Sequence, residues 1–137
     1  MRYVALICVL PLLLAAIGCS GKMSVSGKVT FTDGTPLTTG EVRFESSGFL
    51  AAGKIQSDGS YQVGTISDTD GIPKGTYKVS IYALDYSHIK PEMNPMEAPP
   101  AESLVAEKFR SGETSGLTCV VNGSTRFDIK VEKPPEN

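Results

Sequence analysis

The stretch Gly75-Thr76-Tyr77-Lys78-Val79-Ser80-Ile81-Tyr82 decides the fold. Tyr77, Val79 and Ile81 alternate with Lys78, Ser80 and Tyr82. Successive side chains of an extended chain point to opposite faces, so this period of two predicts a half-buried strand. The same pattern recurs upstream. Val25, Gly27, Val29 and Phe31 alternate with Ser26, Lys28 and Thr30, and Val42 and Phe44 alternate with Glu41, Arg43 and Glu45. A weaker strand is expected over residues 50–56. Asp33-Gly34-Thr35-Pro36 carries turn chemistry. Asp58-Gly59 predicts a tight hairpin into Tyr61-Gln62-Val63.

Downstream, residues 64–75 read as a loop. The segment 83–115 is a long excursion holding Pro91, Pro95, Pro99 and Pro100, which prevent most of it from pairing as strand or running as helix. Residues 101–109 suit a helical turn or two. Asn122-Gly123 predicts a final hairpin joining residues 117–121 to 126–131. Residues 132–137, with Pro134-Pro135, read as a frayed tail.

Short strands, regular turn signals and no convincing long helix predict an all-β fold, an antiparallel β-sandwich of about seven short strands with one long Pro-rich loop. Its expected core is Val25, Val29, Phe31, Val42, Phe44, Ile55, Tyr61, Val63, Tyr77, Val79, Ile81, Leu117, Cys119, Val121, Phe127, Ile129 and Val131.

The N-terminus has a different character. Arg2 precedes an almost purely apolar run over residues 3–17, and Ala16-Ile17-Gly18-Cys19 closes it with small residues. This is the layout of an export signal. The run falls short of the roughly 20 residues that span a bilayer core, and Pro11 interrupts it. Gly18-Cys19 resembles the lipobox of bacterial lipoproteins, although Ala16 stands where that motif usually has Leu. The resemblance implies a signal peptide at 1–18 and acylation, palmitate included, of Cys19, with the membrane as a partner through that residue. Cleavage with a free Cys19, or an uncleaved anchor, are the alternatives. Several buried acyl chains would hold the protein firmly, because each methylene contributes about 0.8 kcal/mol. No Asp follows Cys19, which by the same resemblance implies the outer membrane of the cell envelope. Residues 19–23 would then be a short tether, 24–131 the domain and 132–137 the tail.

Composition narrows the function. The formal charge is −2, and the 13 Lys and Arg are scattered singly. Nucleic acid binding, which needs concentrated positive charge, is excluded as an expectation. Cys8 lies within the signal and Cys19 at its end, which leaves Cys119 alone. Alternation places Cys119 on the face of Leu117 and Val121, as a small buried hydrophobe. The sole histidine, His88, follows Asp85-Tyr86-Ser87 and reads as a solvated loop residue, too isolated for acid–base work or a transition metal. Asp68-Thr69-Asp70-Gly71 begins like a calcium loop, but Ile72-Pro73-Lys74 follow where further oxygen ligands would be needed. It reads as an ordinary turn. No cofactor and no metal are expected.

Tyr82, Tyr86, Met93 and Met96 offer the candidate ligand or partner surface, on or beside the long loop. Proline keeps a loop open at low entropic cost, and Tyr or Met can lie against an apolar partner. The rival reading is a loop draped over a sheet edge, which would guard it against aggregation.

Val25-Ser26-Gly27-Lys28-Val29, Gly34-Thr35-Pro36-Leu37, Ser57-Asp58-Gly59-Ser60-Tyr61 and Gly75-Thr76-Tyr77-Lys78-Val79-Ser80-Ile81 together resemble a carboxypeptidase regulatory-like domain. Glu107-Lys108-Phe109 and Thr114-Ser115-Gly116-Leu117-Thr118 resemble its closing part in small bacterial lipoproteins. The resemblance implies a transthyretin-like, immunoglobulin-like sandwich, and it carries no peptidase activity with it. The expectation is a non-catalytic envelope module that serves in structure or protein interaction. A domain binding carbohydrate or another ligand is the alternative, weakened by the absence of Trp. A transthyretin-like hydrolase, which needs several histidines, stands third.

Overall fold

A computed structural model describes residues 21–67 and 69–136. The expected signal, Cys19 and Asp68 therefore lie outside the described residues.

Alternation becomes two facing sheets. The strands are β1 (Lys22–Met23), β2 (Val25–Phe31), β3 (Glu41–Ser46), β4 (Phe49–Lys54), β5 (Ser60–Val63), β6 (Ile72–Pro73), β7 (Gly75–Tyr82), β8 (Leu84–Asp85), β9 (Glu102–Ser103), β10 (Leu117–Val121), β11 (Thr125–Arg126) and β12 (Ile129–Val131). One sheet has the order β10-β7-β3-β4, antiparallel throughout. In the other, β2 is central, with β5 antiparallel on one side and β11 and β12 parallel on the other. Two small pairs, β1–β6 and β8–β9, lie outside these sheets. The fold is an all-β sandwich.

The inward faces meet in one core. Phe44 of β3 reaches across to Tyr61 of β5 and to Phe127, with ring centroids 6.3 Å away in each case. Every expected core residue is buried except Phe31, Leu117 and Phe127, which pack half-buried against the rest. Leu37, Ala51, Ile72, Ala83, Val105 and Phe109 are buried as well. None of these six belongs to a long period-two run, so alternation did not single them out.

Several local expectations are corrected. Asn122-Gly123 closes no hairpin: β10 pairs with β7, whereas β11 and β12 cross to the opposite sheet and run parallel to β2. Burial of Val121 in one sheet and Ile129 in the other wins over the local turn preference. The turn at Asp58-Gly59 does form, with Gly59 N–H donating to Gln56 O at 2.9 Å. It delivers β5 to β2, however; among the described residues β4 forms no ladder with β5, with one isolated bridge at Ala52–Gly64 just past it and Gly53 lying against Gln62. The weak strand lies at Phe49–Lys54. Lys22 and Met23, expected in the tether, pair with β6. The tail is tied at its start, where Glu132 O accepts from Ala106 N–H at 2.8 Å and Glu132 pairs with Lys108 at 2.7 Å.

The long excursion is pinched at its base by β8 and β9. Residues 90–97 are exposed, so this part is not draped over a sheet edge. Its returning limb does the covering. Leu104 N–H donates to Ala83 O at 3.0 Å, Val105 is fully buried, and a 3-10 turn at Glu107–Arg110 buries Phe109.

Candidate functional site

Strand direction determines what stands at each end of the sandwich. β6 leads into β7, and β1 leads into β2, so the β1–β6 pair marks the end where both long strands begin. Lys22, the first residue of β1, is held there by Asp70 at 2.7 Å. β7, eight residues long, finishes at Tyr82. At about 3.3 Å per residue, Tyr82 is roughly 25 Å from the β1–β6 end.

At that far end, Tyr82 and Tyr86 line one shallow groove with Thr39, Gly40, Glu41, Arg43 and Leu84, about 380 Å³ in volume. Local geometry explains its floor. Gly40 has φ +105, and a Cβ there would meet the Tyr82 carbonyl oxygen at 2.5 Å, so only glycine lets the chain pass this close. Glu41 lies opposite Tyr82 in the β3–β7 register. Arg43, two residues along on the same outward face, bonds Glu41 at 2.5 Å and stacks over the Tyr82 ring at 4.4 Å from its centroid. Arg43 and Tyr82 also line a neighbouring depression with Lys108 and Arg110, about 580 Å³ in volume. The patch is therefore aromatic at its centre, with Arg43, Lys108 and Arg110 at its rim beside the carboxylates Glu41 and Glu107.

Tyr82 and Tyr86 are thus brought together, and Tyr86 is the more open at 58% exposure. Met93 and Met96 line neither depression. Met96 is 94% exposed, while the Met93 sulfur faces the Lys90 N–H at 3.4 Å within its own turn. Arg43 and Arg110 went unremarked in the sequence. Alternation in β3 assigns Arg43 to the outer face, but nothing local says that Tyr82 stacks beneath it.

Other candidates occupy different surroundings. His88 Nε2 lies 3.3 Å from the Pro100 carbonyl oxygen, across the loop. Cys119 is buried in β10, and burial pushes its thiol pKa up, away from the reactive thiolate. Asp70 turns its carboxylate to Lys22, to Thr65 and to the Ile66 N–H, which occupies the oxygens a calcium ion would require. The donors hold its carboxyl well below the usual carboxylate range, with the Lys22 ammonium first among them. Among the described residues, no three His, Cys, Asp or Glu side chains converge as a metal site. No helix among them is long and apolar enough to cross a membrane.

No family model matches the chain, and no curated protein does. Among solved structures it is similar to a DUF3823 family protein from Bacteroides ovatus, at 20% identity and a TM-score of 0.48. The alignment covers 82% of this chain and 45% of that one, so this chain spans less than half of its length. Nothing about the site follows from a likeness this distant.

Proposed function

We propose that this chain is a lipid-anchored, non-catalytic cell-envelope module of the carboxypeptidase regulatory-like type, which meets a protein partner through the Tyr82–Tyr86 end of its sandwich. One observation carries the reading: the chain enters the fold at the β1–β6 end, and the aromatic patch lies at the opposite end. Cys19 stands just before Lys22 in sequence, so an acyl anchor there would leave the patch facing away from the bilayer.

Patch chemistry suits a protein partner better than a neutral sugar. Arg43 already occupies a face of the Tyr82 ring, which leaves Tyr86 as the accessible stacking surface. Arg and Tyr are the side chains that most often carry binding energy in protein interfaces. A non-catalytic role is supported by the burial of Cys119, which pushes its thiol pKa up, away from the reactive thiolate.

The test expresses the full chain in a double-membraned bacterium. Mass spectrometry of the N-terminal peptide is expected to find acylated Cys19, with Cys19→Ser releasing the protein from membranes. A photo-cross-linking residue at Tyr86 should capture one envelope protein, and the same residue at Thr76, near the other end of β7, should not. Equal capture from both positions would overturn the proposed orientation. A reproducible neutral-glycan hit lost on Tyr86→Ala would instead favour the carbohydrate reading.

A further inference from the structure

A separate groove lies on the outer face of the β2 sheet, where it meets β4. Its volume is about 430 Å³. The register sets a row across it: Arg126 of β11 lies opposite Ser26 of β2, and Ser26 lies opposite Gln62 of β5. Lys54 of β4 comes to the same groove from the other sheet, next to Gly53, which lies against Gln62. Arg126, Ser26, Gln62 and Lys54 all line the groove. The row therefore reads cation, hydroxyl, amide, cation.

We propose that this groove binds a short acidic oligosaccharide containing uronic acid residues, laid across the strands with carboxylates towards Arg126 and Lys54. Charge complementarity is the first argument. No described residue lining the groove is acidic, and Arg126 engages Asp128 only through Nε at 3.1 Å, which leaves its terminal nitrogens available. Among the described residues, the side chains of Ser26, Gln62 and Lys54 form no hydrogen bond within the protein, whereas Gln56 donates from Nε2 to Lys54 O at 3.3 Å. Hydroxyl and amide groups between two cations match the alternating hydroxyls and carboxylates of such a glycan. The volume exceeds what a single inorganic anion fills. A peptide is disfavoured because, among the described residues, no large apolar side chain besides the buried Tyr61 lines the groove to anchor one. The groove is separate from the Tyr82–Tyr86 patch and does not depend on it.

The experiment is calorimetric titration of the full chain in detergent with trigalacturonate, its methyl ester and a glutamate-rich peptide. The acid form is expected to bind, with affinity falling as salt rises, and the ester to bind at least about tenfold more weakly because two charge-assisted contacts are lost. Lys54→Ala and Arg126→Ala should each weaken the acid form by about fivefold or more. Tyr86→Ala should leave it unchanged, which separates this site from the distal patch. Both groove positions are solvent-facing, so circular dichroism should show intact folding in these variants. Absent binding, equal binding of acid and ester, unaltered affinity in both groove variants, or tighter binding of the peptide would each overturn the proposal.

Discussion

Lys22 and Asp70 are 48 residues apart in sequence, yet Lys22 Nζ lies 2.7 Å from Asp70 Oδ2. Lys22 also donates to Thr65 Oγ1 at 2.7 Å. Asp70 accepts from the Thr65 N–H at 2.6 Å and from the Ile66 N–H at 3.2 Å. One carboxylate thus gathers the loop after β5 and fastens it to the start of the fold. Beside it, Met23 pairs with Ile72, which is fully buried. A domain held this way has little slack between its first strand and its body.

The pH behaviour of this clamp follows from its donors. Each favours the ionised form, so the Asp70 carboxyl is held well below its ordinary value of 3.8. A depressed folded-state pKa contributes stability that is complete above the unfolded pKa and lost as pH falls towards the folded one. Asp70→Asn should therefore lower the thermal midpoint by a few degrees at pH 7, the usual scale for a modest local loss in a domain of this size. Its deficit relative to the parent should shrink below about pH 4. Thermal unfolding across that range checks it, and a deficit independent of pH would assign the effect to shape alone.

Phe44 is the side chain on which the two sheets close. Its ring meets Tyr77 at 6.2 Å, as well as Tyr61 and Phe127, and it is fully inaccessible to solvent. Phe44→Ala removes a large apolar group from between the two layers and is expected to cost about 3–5 kcal/mol. Phe44→Asp should leave the chain unfolded, since an unpaired charge cannot be sustained there. Denaturant melts monitored by far-ultraviolet circular dichroism distinguish the two.

Tyr61 carries a polar contact through the same layer. Its hydroxyl donates to the Phe127 carbonyl oxygen, and burial pushes its phenol pKa far above the ordinary 10. Tyr61→Phe leaves that carbonyl without its side-chain donor and should cost about 1–3 kcal/mol. In an alkaline absorbance titration, Tyr61 should ionise only as the fold is lost, because burial shields its phenol from water. Prompt ionisation of every tyrosine would contradict this placement.

Period-two alternation carried most of the architecture, because a strand with one wet face writes its burial directly into the sequence. β2, β3 and β7 were legible for that reason. Connections were less so. Asn122-Gly123 has the composition of a tight hairpin, but turn preference is worth little beside the burial of Ile129 and Val131 against β2. Val105 and Phe109 were hidden because a returning limb has no periodicity. At the candidate site, Tyr82 and Tyr86 could be named from their place after the clearest strand, whereas Arg43 over Tyr82 required the β3–β7 register. The groove gathers Lys54 and Gln62 with Ser26 from near the start of the described chain and Arg126 from near its end, so no local reading could assemble it.

Gly27 tests the parallel crossover that the sequence did not announce. It lies in β2 opposite Tyr61, and an added Cβ would stand 2.0 Å from the Phe127 carbonyl oxygen. That oxygen is the one Tyr61 bonds. Here β11 gives way to β12: Phe127 N–H donates to Ser26 O at 2.8 Å, and the Asp128 side chain accepts from the Lys28 N–H at 3.0 Å. The returning chain dips against β2 where β2 has no side chain to hold it off. Gly27→Ala must push Phe127 outward, breaking the Tyr61 bond and loosening β12, with an expected cost of about 1–3 kcal/mol or more. Gly21→Ala, with open space around its position, is the control. Hydrogen exchange should localise the loss, with faster exchange at Lys28 and through residues 127–131 and little change in β7. Uniform acceleration across both sheets would mean that Gly27 supports the whole sandwich and has no special part in docking its last strand.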